Sequence, residues 1–121
     1  MPDLSLVILY VDNPEASAAF YTDLLGRAPA EQSPTFAMFP MPGGTGLGLW
    51  SRHTVKPAAA AAGGGGTEIA FMATDVDGMH ANWAARGLPI IQAPIELDFG
   101  RTFVALDPDG HRLRIFAPSG A

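Results

Sequence analysis

Apolar and polar residues alternate in short runs along this chain, and the runs predict strands and helices. Leu4 to Val11 is apolar and rich in β-forming residues, which predicts a first strand. Asp12-Asn13-Pro14-Glu15 follows with capping side chains, a proline that the first helical turn tolerates, and an acid near the positive end of the helix dipole. The helix is expected to run to about Leu25 and to stop at Gly26.

The same order of elements returns in the second half of the chain. In the first half, the helix is followed by strands at Thr35 to Phe39 and at Gly46 to Ser51. In the second half, the predicted elements are a strand at Glu68 to Met72, a helix capped by Asp75 that stops at Gly87, a strand from Ile90, and a closing hairpin. This order predicts an internal duplication.

The predicted fold is therefore α+β, with two βαβββ repeats whose curved mixed sheet surrounds a pocket shared by their concave faces. We expect a single domain over residues 1–121, with repeat one at 4–51, a linker at 54–66 and repeat two at 67–117. The linker contains a run of alanines followed by four glycines, a composition typical of a flexible segment with nothing to pack.

The closing hairpin has the most informative sequence. Asp107-Pro108-Asp109-Gly110 has the residue types of a type I turn between two strands. If the strands pair symmetrically about this turn, Phe103 lies opposite Arg114. Six residues would then share one face, namely Arg101, Phe103, Ala105, Arg112, Arg114 and Phe116. A face that mixes guanidinium groups with aromatic rings is unusual for a core and is a candidate binding surface.

Composition and charge restrict the possible partners. The chain has 121 residues, of which 48% are hydrophobic, and this is enough for one globular domain with its own core. It has no cysteine, which is compatible with a cytoplasmic location, and no segment typical of a signal peptide or a membrane span. The net charge of −5 argues against nucleic acid as a partner, and an anionic ligand would need a local arginine site.

The chain resembles the vicinal oxygen chelate superfamily, which contains glyoxalases, bleomycin resistance proteins and extradiol dioxygenases. The resemblance lies in Val11-Asp12-Asn13-Pro14-Glu15-Ala16-Ser17 with Phe20-Tyr21 and Leu25-Gly26, in Glu68-Ile69-Ala70-Phe71, and in the Asp107-Pro108-Asp109-Gly110 turn. The closing FGRTFVALDPDGH, together with Leu49-Trp50, is particularly similar to the branch that confers resistance to phenazine antibiotics by binding them.

The resemblance also implies where a metal would be bound in an enzyme of this superfamily. One residue from the first and last strand of each repeat, usually His or Glu, holds a divalent ion. The corresponding positions here are Leu6, Gly48, Glu68 and Arg114, of which only Glu68 can donate to a metal. Since a catalytic metal needs about three protein donors, we expect no metal, no cofactor and no catalytic residue.

Strand alternation from these positions predicts an aromatic and apolar pocket with a few cationic groups. Such a lining suits a flat conjugated ligand held by stacking and by charge-assisted hydrogen bonds. The expected ligand-binding residues are Tyr10, Trp50, Glu68, Met72, Arg101, Phe103 and Arg114. The leading interpretation is metal-independent sequestration of a planar aromatic molecule such as a phenazine antibiotic by a resistance protein, with a homodimer as the expected assembly.

Several alternatives remain open at this stage. Trp50 and Phe103 can simply be core residues, and Arg101 and Arg114 can form structural ion pairs with Glu68 or Asp98. A different class of function is a glyoxalase-like lyase or isomerase that uses Glu68 and a metal at an unrecognised site. A bleomycin-type antibiotic binder is the weaker alternative, for which the acidic net charge is the supporting feature.

Overall fold

The computed structural model describes residues 3–59, 61 and 63–119. The chain divides into two compact units, Met1–Gly63 and Gly64–Ala121. Each unit contains one helix and one four-stranded mixed sheet. The predicted α+β fold of two βαβββ repeats is thus confirmed. Among the described residues, no helix has the length and hydrophobicity needed to cross a membrane.

The first unit contains β1 (Leu6–Val11), α1 (Pro14–Leu25), β2 (Glu31–Gln32), β3 (Phe36–Pro40) and β4 (Gly46–Ser51). Its strands lie in the order β1-β4-β3-β2, with β1 parallel to β4 and the other pairs antiparallel. The helix begins as predicted, because the Asn13 side chain accepts hydrogen bonds from the backbone N–H groups of Glu15 and Ala16. It ends at Gly26, which adopts a left-handed φ of 67°.

The second unit repeats this plan with β5 (Glu68–Met72), α2 (Val76–Ala85), β6 (Ile90–Leu97), β7 (Gly100–Leu106) and β8 (Arg112–Pro118). The strand order is β5-β8-β7-β6, and β5 and β8 are the parallel pair. Asp75 caps α2 as predicted, since its Oδ1 accepts from the backbone N–H of Gly78 at 2.9 Å.

In each unit one face of the sheet packs against the helix and forms the core. Tyr21 of α1 is fully buried, and its ring lies 6.4 Å from that of Phe39. Trp83 of α2 is also buried and meets Phe103 edge to face at 5.4 Å. These aromatic pairs join helix to sheet and fix which face of each sheet remains free of a helix.

The predicted register of the closing hairpin is wrong by one residue. The turn forms at the predicted place, with the Gly110 N–H donating to the Asp107 carbonyl at 3.0 Å. However, the Asp107 N–H also donates to the His111 carbonyl, so only residues 108–110 form the loop. Gly110 has a left-handed φ of 83°, which fits a three-residue hairpin loop. Phe103 therefore lies opposite Ile115, and Val104 lies opposite Arg114.

The linker prediction also needs a correction at its start. Val55 is buried, and its N–H donates to the Ser51 carbonyl, so the chain after β4 packs on the first unit before the alanine run. Near the other end, a Cβ on Gly64 would collide with the backbone of Asp109 and Gly110. The linker is therefore not free of contacts along its whole length, although positions 60 and 62 lie outside the described residues.

Candidate functional site

The face of the first sheet that points away from α1 is apolar and partly exposed. We call it the helix-free face of the first sheet, and its members on β1, β3 and β4 are Leu6, Ile8, Tyr10, Phe36, Met38, Gly46, Gly48 and Trp50. Tyr10 on β1 is paired directly with Trp50 on β4, and 38% of Tyr10 is exposed. Phe36 meets Trp50 edge to face at 6.0 Å. Sequence alternation correctly placed Tyr10 and Trp50 on one face.

Two glycines of β4 form the floor of this face. A Cβ on Gly46 would lie 2.8 Å from Cδ2 of Leu6, and a Cβ on Gly48 would lie 3.2 Å from Cγ1 of Ile8. The side chains of β1 and β3 therefore fill the space above the glycine backbone. This arrangement leaves a broad apolar surface edged by the rings of Phe36, Tyr10 and Trp50, which suits contact with a flat molecule.

The corresponding face of the second sheet carries charge. We call it the helix-free face of the second sheet, and its members on β5, β7 and β8 are Glu68, Ala70, Met72, Thr102, Val104, Leu106, Arg112, Arg114 and Phe116. Arg114 binds Glu68 through two parallel hydrogen bonds, from Nε to Oε2 at 2.8 Å and from Nη2 to Oε1 at 3.1 Å. Nη1 of Arg114 also donates to Oγ1 of Thr102 at 3.2 Å.

The Arg114 side chain is therefore fixed by hydrogen bonds to Glu68 and Thr102. Thr102 is fully buried and donates its hydroxyl to the Ile115 carbonyl at 2.7 Å, which fixes its oxygen as an acceptor for Arg114. The Arg114 guanidinium carbon lies 5.9 Å from the centre of the Phe99 ring, and only 16% of its side chain is exposed. The Glu68–Arg114 ion pair is the structural alternative that the sequence left open.

Glu68 is unsuited to act as a general base. Hydrogen bonds from Arg114 lower the pKa of the Glu68 carboxyl group below its ordinary value of 4.5. Nε of Arg112 lies a further 3.2 Å from Oε1. A carboxylate that already accepts two hydrogen bonds from one arginine, lies beside a second and has a lowered pKa removes protons poorly near neutral pH.

The same contacts bear on a metal site. Of the four positions that correspond to metal ligands in the superfamily, Leu6 and Gly48 have no donor atom, and Arg114 is a cation. The remaining donor, Glu68, is bound to arginine. Across the described residues, no three His, Asp or Glu side chains are grouped to hold an ion. The residues present therefore do not fit the divalent metal of the superfamily's enzymes.

The structure places two predicted ligand-binding residues on the other side of the second sheet. Phe103 is 0% exposed and packs between Trp83 and His80 of α2. Arg101 also faces α2, where it binds Asp77 with two hydrogen bonds of 2.8 Å, and Asp77 in turn has a lowered pKa because of this arginine. The prediction that both share a face with Arg114 is wrong, because the one-residue register shift reverses the face of every residue on one strand relative to the other.

Met72 lies at the mouth of a cavity in the second unit. The residue is 70% exposed, at the carboxyl end of β5. The cavity has a volume of about 730 Å³ and is lined by Met72, Ala73, Thr74, Asp75, Met79, Ala117 and Pro118. It is mostly apolar, and Met72 is the one predicted site residue among these lining residues.

Sequence reasoning missed three residues that shape these faces. Phe36 completes the aromatic edge around Trp50, and its position in an alternating strand was the available signal. Thr102 orients Arg114, and Phe99 packs against both Arg114 and Phe116, whose ring lies 6.1 Å away. These contacts depend on cross-strand pairing, which the sequence pattern alone does not fix.

Comparison with known proteins gives consistent matches along the chain. The profile of the Glyoxalase/Bleomycin resistance protein/Dioxygenase superfamily matches residues 4–115. The phenazine antibiotic resistance protein EhpR of Enterobacter agglomerans is 33% identical over an alignment 120 residues long. The alignment covers 94% of this chain and 89% of that protein.

Solved structures agree with this assignment. Protein ATC0852 from Agrobacterium tumefaciens is 50% identical with a TM-score of 0.89, covering 99% of this chain and 100% of that one. A glyoxalase/bleomycin resistance protein/dioxygenase from Nocardioides is 27% identical with a TM-score of 0.83, covering 100% of this chain and 87% of that one. The chain therefore belongs to the glyoxalase/bleomycin resistance protein/dioxygenase superfamily, as the sequence motifs indicated.

Proposed function

We propose that this protein binds a planar aromatic small molecule, of the phenazine antibiotic type, and sequesters it without chemical change or a bound metal. The observation that carries the proposal is the helix-free face of the first sheet. There Tyr10, Trp50 and Phe36 form a row at one end of an apolar surface over Gly46 and Gly48, and Tyr10 is 38% exposed. A partly exposed aromatic surface without charge on β1, β3 or β4 favours stacking of a flat ring system.

The relationship to the phenazine antibiotic resistance protein EhpR supports the same ligand class. At 33% identity over 94% of the chain, the two proteins share a fold. Fold alone does not determine a ligand, so the proposal depends on the surface chemistry described above.

Sequestration without turnover is proposed because the candidate base is bound to an arginine and the positions for metal ligands lack donor atoms. Glu68 is paired with Arg114, and its pKa is lowered, so it offers little basicity to a substrate. Leu6 and Gly48 cannot supply the donors that a Lewis-acid metal would need. An aromatic surface, together with a candidate base that is already bound to an arginine, favours binding over catalysis.

Isothermal titration calorimetry of the full chain with phenazine-1-carboxylate tests the proposal. We expect one site with a Kd below about 100 μM. Adding EDTA should leave the affinity unchanged, and mass spectrometry should recover the ligand unmodified after overnight incubation. No heat of binding at high micromolar ligand would refute the ligand class.

Metal analysis of the purified protein separates binding from the lyase alternative. Near one equivalent of nickel, zinc or iron, together with ligand turnover that EDTA abolishes, would contradict sequestration and favour the enzyme. Size-exclusion chromatography with light scattering tests the homodimer, which stays a prediction, as does the cytoplasmic location. A single monomeric peak at working concentrations would remove the homodimer prediction.

A further inference from the structure

Arg112 is the less constrained of the two arginines on the helix-free face of the second sheet. Its side chain is 38% exposed, whereas that of Arg114 is 16% exposed. Nε of Arg112 lies 3.2 Å from Oε1 of Glu68, but this nitrogen is buried and has no hydrogen bond of good geometry. The two terminal nitrogens of Arg112 make no hydrogen bond with any residue in the described ranges 3–59, 61 and 63–119.

The charges of this cluster do not balance. Glu68 contributes one negative charge, and Arg112 and Arg114 contribute two positive charges, which leaves one net positive charge. The Glu68 carboxylate is already bound in bidentate geometry by Arg114, so Arg112 carries the surplus. A guanidinium has a planar set of donors that matches a carboxylate, and its terminal nitrogens here are unused.

Apolar neighbours make this surplus charge unusual. Arg112 lies opposite Leu106 on β7, and Ala70, Met72 and Phe116 share its face. The whole chain has a net charge of −5, which on balance repels anions. A local positive group on an apolar surface therefore attracts an anion to a place where the overall field would not. An aromatic acid combines an apolar ring with one negative charge, which is the charge needed to balance Glu68 and the two arginines.

We propose that Arg112 binds the carboxylate of an aromatic acid and so selects acids over neutral aromatic molecules of the same shape. The inference concerns the second unit and stands apart from the proposed function, which depends on a surface of the first unit. Arg112 then acts as a residue that determines ligand specificity, whereas Arg114 and Glu68 position one another.

A matched ligand pair tests this inference. 1-Naphthoate and 1-naphthamide have nearly the same shape, and only the first is charged at neutral pH. Calorimetry should give about tenfold tighter binding of the acid to the wild type, since a charge-assisted hydrogen bond is lost with the amide. In Arg112→Gln this preference should disappear, and Arg112→Lys should retain part of it.

Arg27→Gln is the matched control. Arg27 is also exposed, and among the residues that the structure describes its Nη1 donates only to the Pro40 carbonyl, at 3.3 Å, so the variant loses a surface charge without touching the cluster. It should keep the full preference for the acid. Circular dichroism of each variant confirms that the fold is retained. Equal binding of acid and amide by the wild type, or an unchanged preference in Arg112→Gln, would overturn the role of Arg112 while leaving the proposed function intact.

A second measurement records the response of Arg112 itself, and it does not depend on whether a phenazine binds. In ¹⁵N-labelled protein, the Nε–Hε resonance of Arg112 should shift with 1-naphthoate and stay unchanged with 1-naphthamide. That shift would support an aromatic acid site even without phenazine binding. An Arg112 resonance that does not respond to 1-naphthoate would overturn it.

Discussion

The two sheets have the same topology, yet their helix-free faces differ in chemistry at the first two of three matching pairs. The first pair of the parallel ladder is Leu6 with Gly46 in the first sheet and Glu68 with Arg112 in the second. The next pair on that face is Ile8 with Gly48 in the first sheet and Ala70 with Arg114 in the second. The third pair is Tyr10 with Trp50 in one case and Met72 with Phe116 in the other.

This comparison separates what the fold requires from what is free to diverge. The faces that pack against α1 and α2 are mainly apolar in both units, because each helix needs a core to cover. The helix-free faces have no such requirement, so one retains glycines under an aromatic rim and the other has two arginines around one carboxylate. Ligand recognition is therefore expected to depend on residues of the helix-free faces, and stability is expected to depend on residues that face the helices.

The largest expected effect is on stability, at Phe103. Because this ring is fully buried against Trp83, Phe103→Ala should lower the free energy of unfolding by about 3–5 kcal/mol, measured by chemical denaturation. The control is Phe99→Ala on the opposite side of the sheet, where 45% of the residue is exposed and the loss should be at most about 1 kcal/mol. Similar losses in the two variants would contradict the division between faces.

The next effect concerns ligand binding at Trp50. Trp50→Leu should weaken phenazine binding about tenfold, because it removes the largest ring of the helix-free face of the first sheet. Trp83→Phe is the control on the helix-facing side of the second sheet, and it should lower the midpoint of denaturation while keeping the affinity. If Trp83→Phe lost binding and Trp50→Leu kept it, the assignment of the faces would be reversed.

A smaller effect tests the ion pair of the second sheet through its pH dependence. The pKa of Glu68 is lower in the folded protein than its ordinary value of 4.5, so the unfolded chain takes up the proton first as pH falls. The pair should therefore contribute its full stability above pH 4.5 and lose it as pH falls through the lowered pKa. Glu68→Gln should lower the free energy of unfolding by about 1 kcal/mol at pH 7.

Denaturation of the wild type and Glu68→Gln across acidic pH measures this directly. The gap between the two proteins should be constant around neutrality and should shrink below pH 4.5. A gap that grew on acidification would show that the carboxyl group is stabilised in its protonated form, contrary to the contacts with Arg114.

The smallest effect is expected at Arg101, which pairs with Asp77 on the exposed surface of α2. Arg101→Gln should lower the melting temperature only slightly, and about 0.5 M salt should reduce the difference because exposed ion pairs are screened. Phenazine affinity should not change. A loss of affinity in this variant would restore Arg101 to the binding surface where the symmetric hairpin placed it.

Sequence alone predicted the parts of the fold that depend on local interactions. Both helix starts were predicted correctly, the first at Asp12-Asn13, of which Asn13 is the cap, and the second at Asp75, because capping uses side chains within three residues of the helix. The strands of the first repeat and the alternation that places Tyr10 with Trp50 also follow from local pattern.

The errors came from non-local pairing. The Asp107 to Gly110 turn was correctly located, but a left-handed Gly110 shortened the loop to three residues and moved Phe103 and Arg101 to the helix side. Glycine at the end of a Pro-Asp-Gly loop was the available signal. The floor that Gly46 and Gly48 provide depends on β1 and β3, which lie elsewhere in the sequence, so alternation within β4 did not reveal it.

The fluorescence of Trp50 during a phenazine titration tests the central claim most directly. Trp50→Leu provides the reference, because subtracting its emission leaves the contribution of Trp50. A planar ligand on the helix-free face of the first sheet should quench this component in a saturable manner, with a Kd equal to the calorimetric value. An unchanged Trp50 signal at ligand concentrations that saturate the calorimetric titration would contradict the account.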